Sequence, residues 1–88
     1  MKVEFLHKFN KDLEKLEIDH VRNAALKAIR LVENAKHFSE IPNCKKLKGH
    51  KSAYRIKIGD YRIGLFIKGN VAELARIIHR KDIYNIFP

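Results

Sequence analysis

The first half of the chain repeats its apolar positions at helical spacing, and the second half at strand spacing. After a short opening strand at Val3-Glu4-Phe5, the apolar residues Phe9, Leu13 and Leu16 fall at i, i+4 and i+7. Lys8, Lys11, Asp12 and Lys15 occupy the other face, which predicts a short amphipathic helix ending near Glu17. Asp19 stands where an N-cap would begin a second helix. That helix carries an apolar stripe of Val21, Ala25, Ala28, Ile29, Val32 and Ala35, and runs to about Lys36. Its alanines predict close packing against the first helix or a sheet. Pro42-Asn43 ends the helical half.

From Tyr54 the period is two. Tyr54-Arg55-Ile56-Lys57-Ile58 alternates apolar with basic, and so does Tyr61-Arg62-Ile63, continuing through Leu65 and Ile67. Gly59-Asp60 between them suits a two-residue type II′ hairpin turn. Lys68-Gly69-Asn70 predicts a second turn, Val71 to His79 a further strand, and Lys81 to Pro88 a short tail. The expected fold is an α+β domain over residues 1–88: a short N-terminal strand, two helices, then an antiparallel meander sheet with the helices on one face.

The hairpin makes a sharper statement. With Gly59-Asp60 as the whole turn, Tyr54 lies opposite Leu65 and Ile56 opposite Ile63 on an apolar face. Lys57 then lies opposite Arg62, and Arg55 opposite Gly64, on the other face. Like charges opposite one another destabilise a sheet pair. Neither strand carries an acidic residue to offset them. Such an uncompensated breach of a local rule marks a candidate functional site, and Gly64 should leave a concavity there. The plainer alternative is that the charges blunt an aggregation-prone sheet.

Composition strengthens this reading. The 88 residues are 45 % hydrophobic, enough for a real core, and net charge is +9. Residues 1–44 hold eight basic and seven acidic residues, whereas residues 45–88 hold eleven and three. Charge so concentrated suits a polyanion, and nucleic acid is the expected partner. No basic amphipathic helix or apolar span of about 18 residues points to a membrane. No signal-peptide h-region follows Met1, and Cys44 is the only cysteine, so the chain reads as a reduced cytoplasmic protein. No two of the five histidines sit at i, i+4 with a carboxylate partner; we expect neither metal nor cofactor.

The stretch from Lys46 to Tyr84 resembles the RelE family within the RelE/ParE toxin superfamily. The resemblance rests on Lys46-Leu47-Lys48-Gly49, Tyr54-Arg55-Ile56-Lys57, Gly59-Asp60-Tyr61-Arg62, and His79-Arg80 with Ile83-Tyr84. The helical first half, with Phe9, Asp12-Leu13 and Leu16, fits as well. The resemblance implies a toxin of a type II toxin–antitoxin system that cleaves mRNA in the ribosomal decoding site, without metal, and is neutralised by an acidic antitoxin. The ribose 2′-OH would attack its own phosphate, leaving a 2′,3′-cyclic phosphate and a 5′-OH. By position it puts the catalytic set on Arg55, Lys57, Arg62, Arg80 and Tyr84.

Physical chemistry assigns roles within that set. A lysine acts as a base only when its pKa is lowered, and a dense cationic cluster favours that, most of all for Lys57 facing Arg62. The planar fork of Arg62 suits two phosphate oxygens. Arg80 either assists it or delivers the proton to the leaving oxygen. Tyr84 offers a π-face for a base and a hydroxyl for the 2′-OH. Some relatives have Lys where Arg55 stands; arginine is a poor base, so its role is electrostatic. His79 is a conventional acid/base candidate, or else a strand-end histidine with a structural hydrogen bond. Lys45, Lys46, Lys48, His50 and Lys51 form a basic loop suited to ribosomal RNA, or simply a solvated one. Glu73 and Arg76 read as a surface pair. The face of Arg80 stays open: a two-residue Gly69-Asn70 turn points it away from Arg62, and a one-residue bulge brings it round. Two other functions share the fold: a ParE-like toxin that poisons DNA gyrase without RNA cleavage, and a catalytically weak antitoxin-binding module.

Overall fold

Helical spacing in the first half gives two helices, and alternation in the second gives the sheet on which they pack. The computed structural model describes residues 1–88. Strand β1 (Lys2–Phe5) is followed by helices α1 (His7–Lys15) and α2 (Asp19–Asn34). A 3-10 turn at Phe38–Glu40 leads into strands β2 (Cys44–Lys46), β3 (Ala53–Ile58), β4 (Tyr61–Lys68) and β5 (Val71–His79), and helix α3 (Arg80–Ile86) closes the chain. Val21, Ala25, Ala28, Ile29 and Val32 of α2 are all buried, the stripe that the sequence predicts. Asp19 lies inside α2, whose N-cap is Ile18 with no side-chain cap. Arg22 donates from Nη1 to the carbonyls of Leu13 and Leu16, satisfying the C-terminal end of α1 with a cation.

The sheet runs β1-β5-β4-β3-β2. It is mixed rather than a pure meander, because β1 pairs with β5 in parallel. Tyr54, Ile56, Ile63, Leu65, Leu74 and Ile77 bury their side chains against Phe9 and α2 in the main core. Leu74 and Ile77 are three residues apart, which a regular strand would place on opposite faces. A bulge reconciles them: Leu65 pairs with Leu74 but Gly64 pairs with Arg76, so Ala75 is the extra residue.

Pairing with β1 stops at Leu74. Beyond it Asp12 of α1 takes the place of a neighbouring strand. Its Oδ2 accepts from the Ile77 N–H at 3.0 Å, and its two oxygens receive Arg76 at 2.7 and 2.9 Å. That bidentate contact raises the Arg76 pKa. Arg76 is therefore Asp12's partner and not Glu73's, which pairs with Lys68.

Not all helices share one face. The segment expected as a tail forms α3, which lies on the side of the sheet opposite α1 and α2. Ile83 and Phe87 bury there against Ala53 and Ala75. The concavity expected at Gly64 is filled: an added Cβ would stand 2.6 Å from the Phe87 ring. No helix is long and apolar enough to cross a membrane.

Candidate active site

The β3–β4 hairpin has the register that its two-residue turn dictates. Ile58 pairs with Tyr61, Lys57 with Arg62, Ile56 with Ile63, and Arg55 with Gly64. Gly59 takes φ +62°, a conformation rare for L side chains, and Asp60 keeps a negative φ, as a type II′ turn requires. The alternation thus sends the apolar residues to the core and leaves Arg55, Lys57 and Arg62 on the opposite face.

These side chains line one cleft of about 370 Å³, together with Tyr84, Lys45 and Asn43. Lys45 reaches it because β2 pairs with β3 and sets Lys45 opposite Arg55. The basic loop expected from the sequence is therefore divided. Lys45 belongs to the cleft, whereas Lys46, Lys48, His50 and Lys51 line a separate, open depression. Asn43 also lines the cleft, although it carries neither the charge nor the ring that marks the others in sequence. It adopts φ +62°, and its carbonyl accepts the Lys57 N–H at 3.1 Å, which ties the cleft wall to β3. Its signal in the sequence is the Pro42-Asn43 pair, since asparagine tolerates left-handed backbone.

Arg62 is held in place by its own turn. Nη1 donates to the Gly59 carbonyl at 2.7 Å and the Tyr61 carbonyl at 2.9 Å. Its pKa is lowered first by desolvation, then by the charges of Arg55 and Arg80, against a smaller raising effect of Asp60.

Tyr84 is 65 % exposed. The guanidinium carbon of Arg55 lies 5.3 Å from its ring centroid, a cation–π contact that brings α3 to the cleft. The bulge at Ala75 settles the face of Arg80: Arg62 pairs with Ile78, and Arg80 follows two residues on. Arg80 does not line the cleft, however. Its N–H donates to the Asp60 carbonyl at 2.7 Å, and its Nε lies 3.7 Å from the Asp60 carboxylate. An acidic residue absent from both strands is thus supplied by the turn.

His79 goes elsewhere. It pairs with Tyr61, so it faces the α1 and α2 side; its ring lies edge-on to Tyr61 at 5.5 Å. Its Nδ1 accepts the Lys81 N–H at 3.2 Å and caps α3. This placement favours the structural alternative for His79 over the acid/base one. Cys44 pairs with Ile56 on the core side, and burial pushes its thiol up to about 11. No three His, Cys, Asp or Glu side chains are grouped so as to hold a metal ion.

Comparisons with known proteins bear on the family and the fold. A family model described as the ParE toxin of the type II toxin–antitoxin system parDE matches residues 3–84. Toxin RelE3 of Methanocaldococcus jannaschii is 37 % identical over 89 residues, covering 100 % of both proteins. A chain of the RelB–RelE antitoxin–toxin complex from Methanococcus jannaschii superposes with a TM-score of 0.81 at 34 % identity, covering 97 % of this chain and 99 % of that one. YafQ from E. coli shares the fold, with a TM-score of 0.75 at 14 % identity over 94 % of this chain and 97 % of that one. The fold, the matched span and the full-length identity together place the chain in the RelE/ParE family of toxins of type II toxin–antitoxin systems.

Proposed function

We propose that this toxin is a metal-independent endoribonuclease that cuts mRNA in the decoding site of the ribosome. The observation that carries the reading is the gathering of Arg55, Lys57, Arg62 and Tyr84 in one cleft whose lining holds no acidic residue. In the reaction a base removes the 2′-OH proton, and the 2′-oxygen bonds to the adjacent phosphorus. The bond from phosphorus to the 5′-oxygen then breaks, and that oxygen takes up a proton. Arginine is a poor base, and of the cleft lysines Lys57 stands opposite the phosphate ligand, so we assign it the 2′-OH proton. The free edge of the Arg62 guanidinium receives two phosphate oxygens and stabilises the charge that grows on the phosphorane. Arg55 adds positive potential, and Tyr84 stacks on a base or meets the 2′-OH. Arg80 completes the field or delivers the proton at the leaving oxygen. Lys46, Lys48, His50 and Lys51 contact ribosomal RNA. A cytoplasmic, acidic RelB-type antitoxin holds the toxin in check through charge complementarity with the cleft.

A second reading is a gyrase poison, favoured by the ParE description of the matching family model. A poison acting on a protein target has no need of the Lys57, Arg62 and Tyr84 arrangement. Toeprinting of mRNA on ribosomes, run beside a gyrase supercoiling assay, separates the two. Cleavage within the decoding site supports the ribonuclease; inhibited supercoiling with intact message supports the poison.

A further inference from the structure

Tyr84 stands on a helix of only seven residues, Arg80–Ile86, too short to hold itself in water. Its position must come from packing. The floor beneath it is made of residues with little or no side chain: Ala53 on β3, Gly64 on β4, and Ala75, the extra residue of the β5 bulge. Two apolar residues four apart, Ile83 and Phe87, fill that floor and are 2 % and 5 % exposed. The Phe87 ring lies so close over Gly64 that an added Cβ would be 2.6 Å from two ring carbons and 2.9 Å from a third. Phe66 flanks it, with ring centroids 5.1 Å apart. Gly64 has an ordinary negative φ, so its lack of a side chain serves the ring above it and not a turn. The partner of Gly64 across the hairpin is Arg55, the residue under Tyr84. One register position therefore fixes both ends of the Arg55–Tyr84 contact.

We infer that Gly64 and Phe87 form an anchor that positions Tyr84 over Arg55, making them positioning residues of the cleft outside the set that touches RNA. The consequence for cleavage rests on the ribonuclease reading; the anchor itself does not. Gly64→Ala must push the ring aside, whereas Phe87→Ala removes it. The two should be non-additive, because the three atoms nearest a methyl added at position 64 all belong to the ring that Phe87→Ala removes.

Two measurements on the full chain keep the anchor and the activity apart. Amide hydrogen exchange in residues 81–87 should rise by about tenfold or more in Gly64→Ala, with sheet amides unchanged, as expected for local opening. The ring-current shift that Tyr84 imposes on the Arg55 side-chain protons, defined by its loss in Tyr84→Leu, should vanish as well. On ribosomes, kcat should fall by roughly tenfold to a hundredfold with KM little changed, the scale of a misplaced reacting group. If exchange and ring-current shift match wild type in Gly64→Ala, the anchor is wrong, whatever the activity. If both change while an active toxin cleaves at its normal kcat, the positioning role is wrong. A wild-type chain that cuts no RNA overturns the ribonuclease reading, and the first two signals still decide the anchor. Should Gly64→Ala fail to fold, Phe87→Ala supplies the same signals.

Discussion

Arg62 donates from Nη1 to the carbonyl of Gly59 at 2.7 Å, so the guanidinium proposed to bind phosphate is held by the turn that produces it. Both contacts of Nη1 are to main-chain oxygens, Gly59 and Tyr61, and this leaves the opposite edge for an anion. An ammonium offers a point charge without such a fork. Arg62→Lys should therefore resemble Arg62→Ala. Each should lower single-turnover cleavage by at least about a hundredfold, near 3 kcal/mol of transition-state stabilisation. Full activity in Arg62→Lys would show that charge alone suffices. In Arg62→Ala stability should shift by no more than about 1 kcal/mol, since relief of the Lys57 repulsion offsets the lost hydrogen bonds.

Asp12 and Arg76 make the opposite kind of contact. Their side chains are 10 % and 19 % exposed, and Asp12 also satisfies the Ile77 N–H. Asp12→Ala leaves a poorly solvated cation and an unpartnered amide. Urea unfolding should show a loss of about 3 kcal/mol or more, with the remaining folded protein keeping its cleft. A loss below about 1 kcal/mol would mean that water replaces the carboxylate.

Cys44 is adjacent in sequence to the cleft residues Asn43 and Lys45, yet its thiol faces the core. Its pKa rises from 9.0 to about 11 through burial, so the neutral form is favoured in the folded state. At pH 8 the thiolate fraction should be about a hundredfold below that of an unfolded cysteine, and alkylation correspondingly slow. The linkage has a definite sign: the unfolded thiol ionises first, so stability is lost as pH rises from 9 toward 11. An alkylation profile with its midpoint near 9 in the folded protein would contradict this placement.

An acidic antitoxin that covers the cleft should shield Lys45 and Lys57 from acetylation in the complex. Lys11, exposed on α1, should stay reactive. If Lys57 acetylates equally with and without antitoxin, inhibition works by blocking ribosome entry or by moving Tyr84.

How much of the molecule is legible in its sequence follows from the range of the interactions. The hairpin register is legible because Gly59-Asp60 is a local turn and every opposing pair follows from it. The stripe of α2 is legible for the same reason. The parallel β1–β5 pairing and the Asp12 contact join residues more than sixty positions apart, and no local pattern reports them. The bulge at Ala75 shows only as Leu74 and Ile77 falling out of alternation. Helix α3 reads as a tail because it is too short for a periodic stripe. Its signal is divided between Ile83 and Phe87 on one side and the bare Gly64 on the other, and Gly64, which in sequence suggests a hollow for ligand, seats a ring. Strand β2 has three residues, too few for alternation, so in sequence Lys45 looks like part of a loop.

In the mechanism proposed here the message supplies its own nucleophile to a cleft of fixed cations. The most direct test is a ribosome–mRNA complex carrying a single 2′-deoxy nucleotide at the scissile position. The unmodified message should be cut to a 2′,3′-cyclic phosphate and a 5′-OH, and the modified one left intact although the toxin still binds the ribosome. Cleavage of the 2′-deoxy message would make water the nucleophile and contradict the mechanism proposed for Lys57 and Arg62.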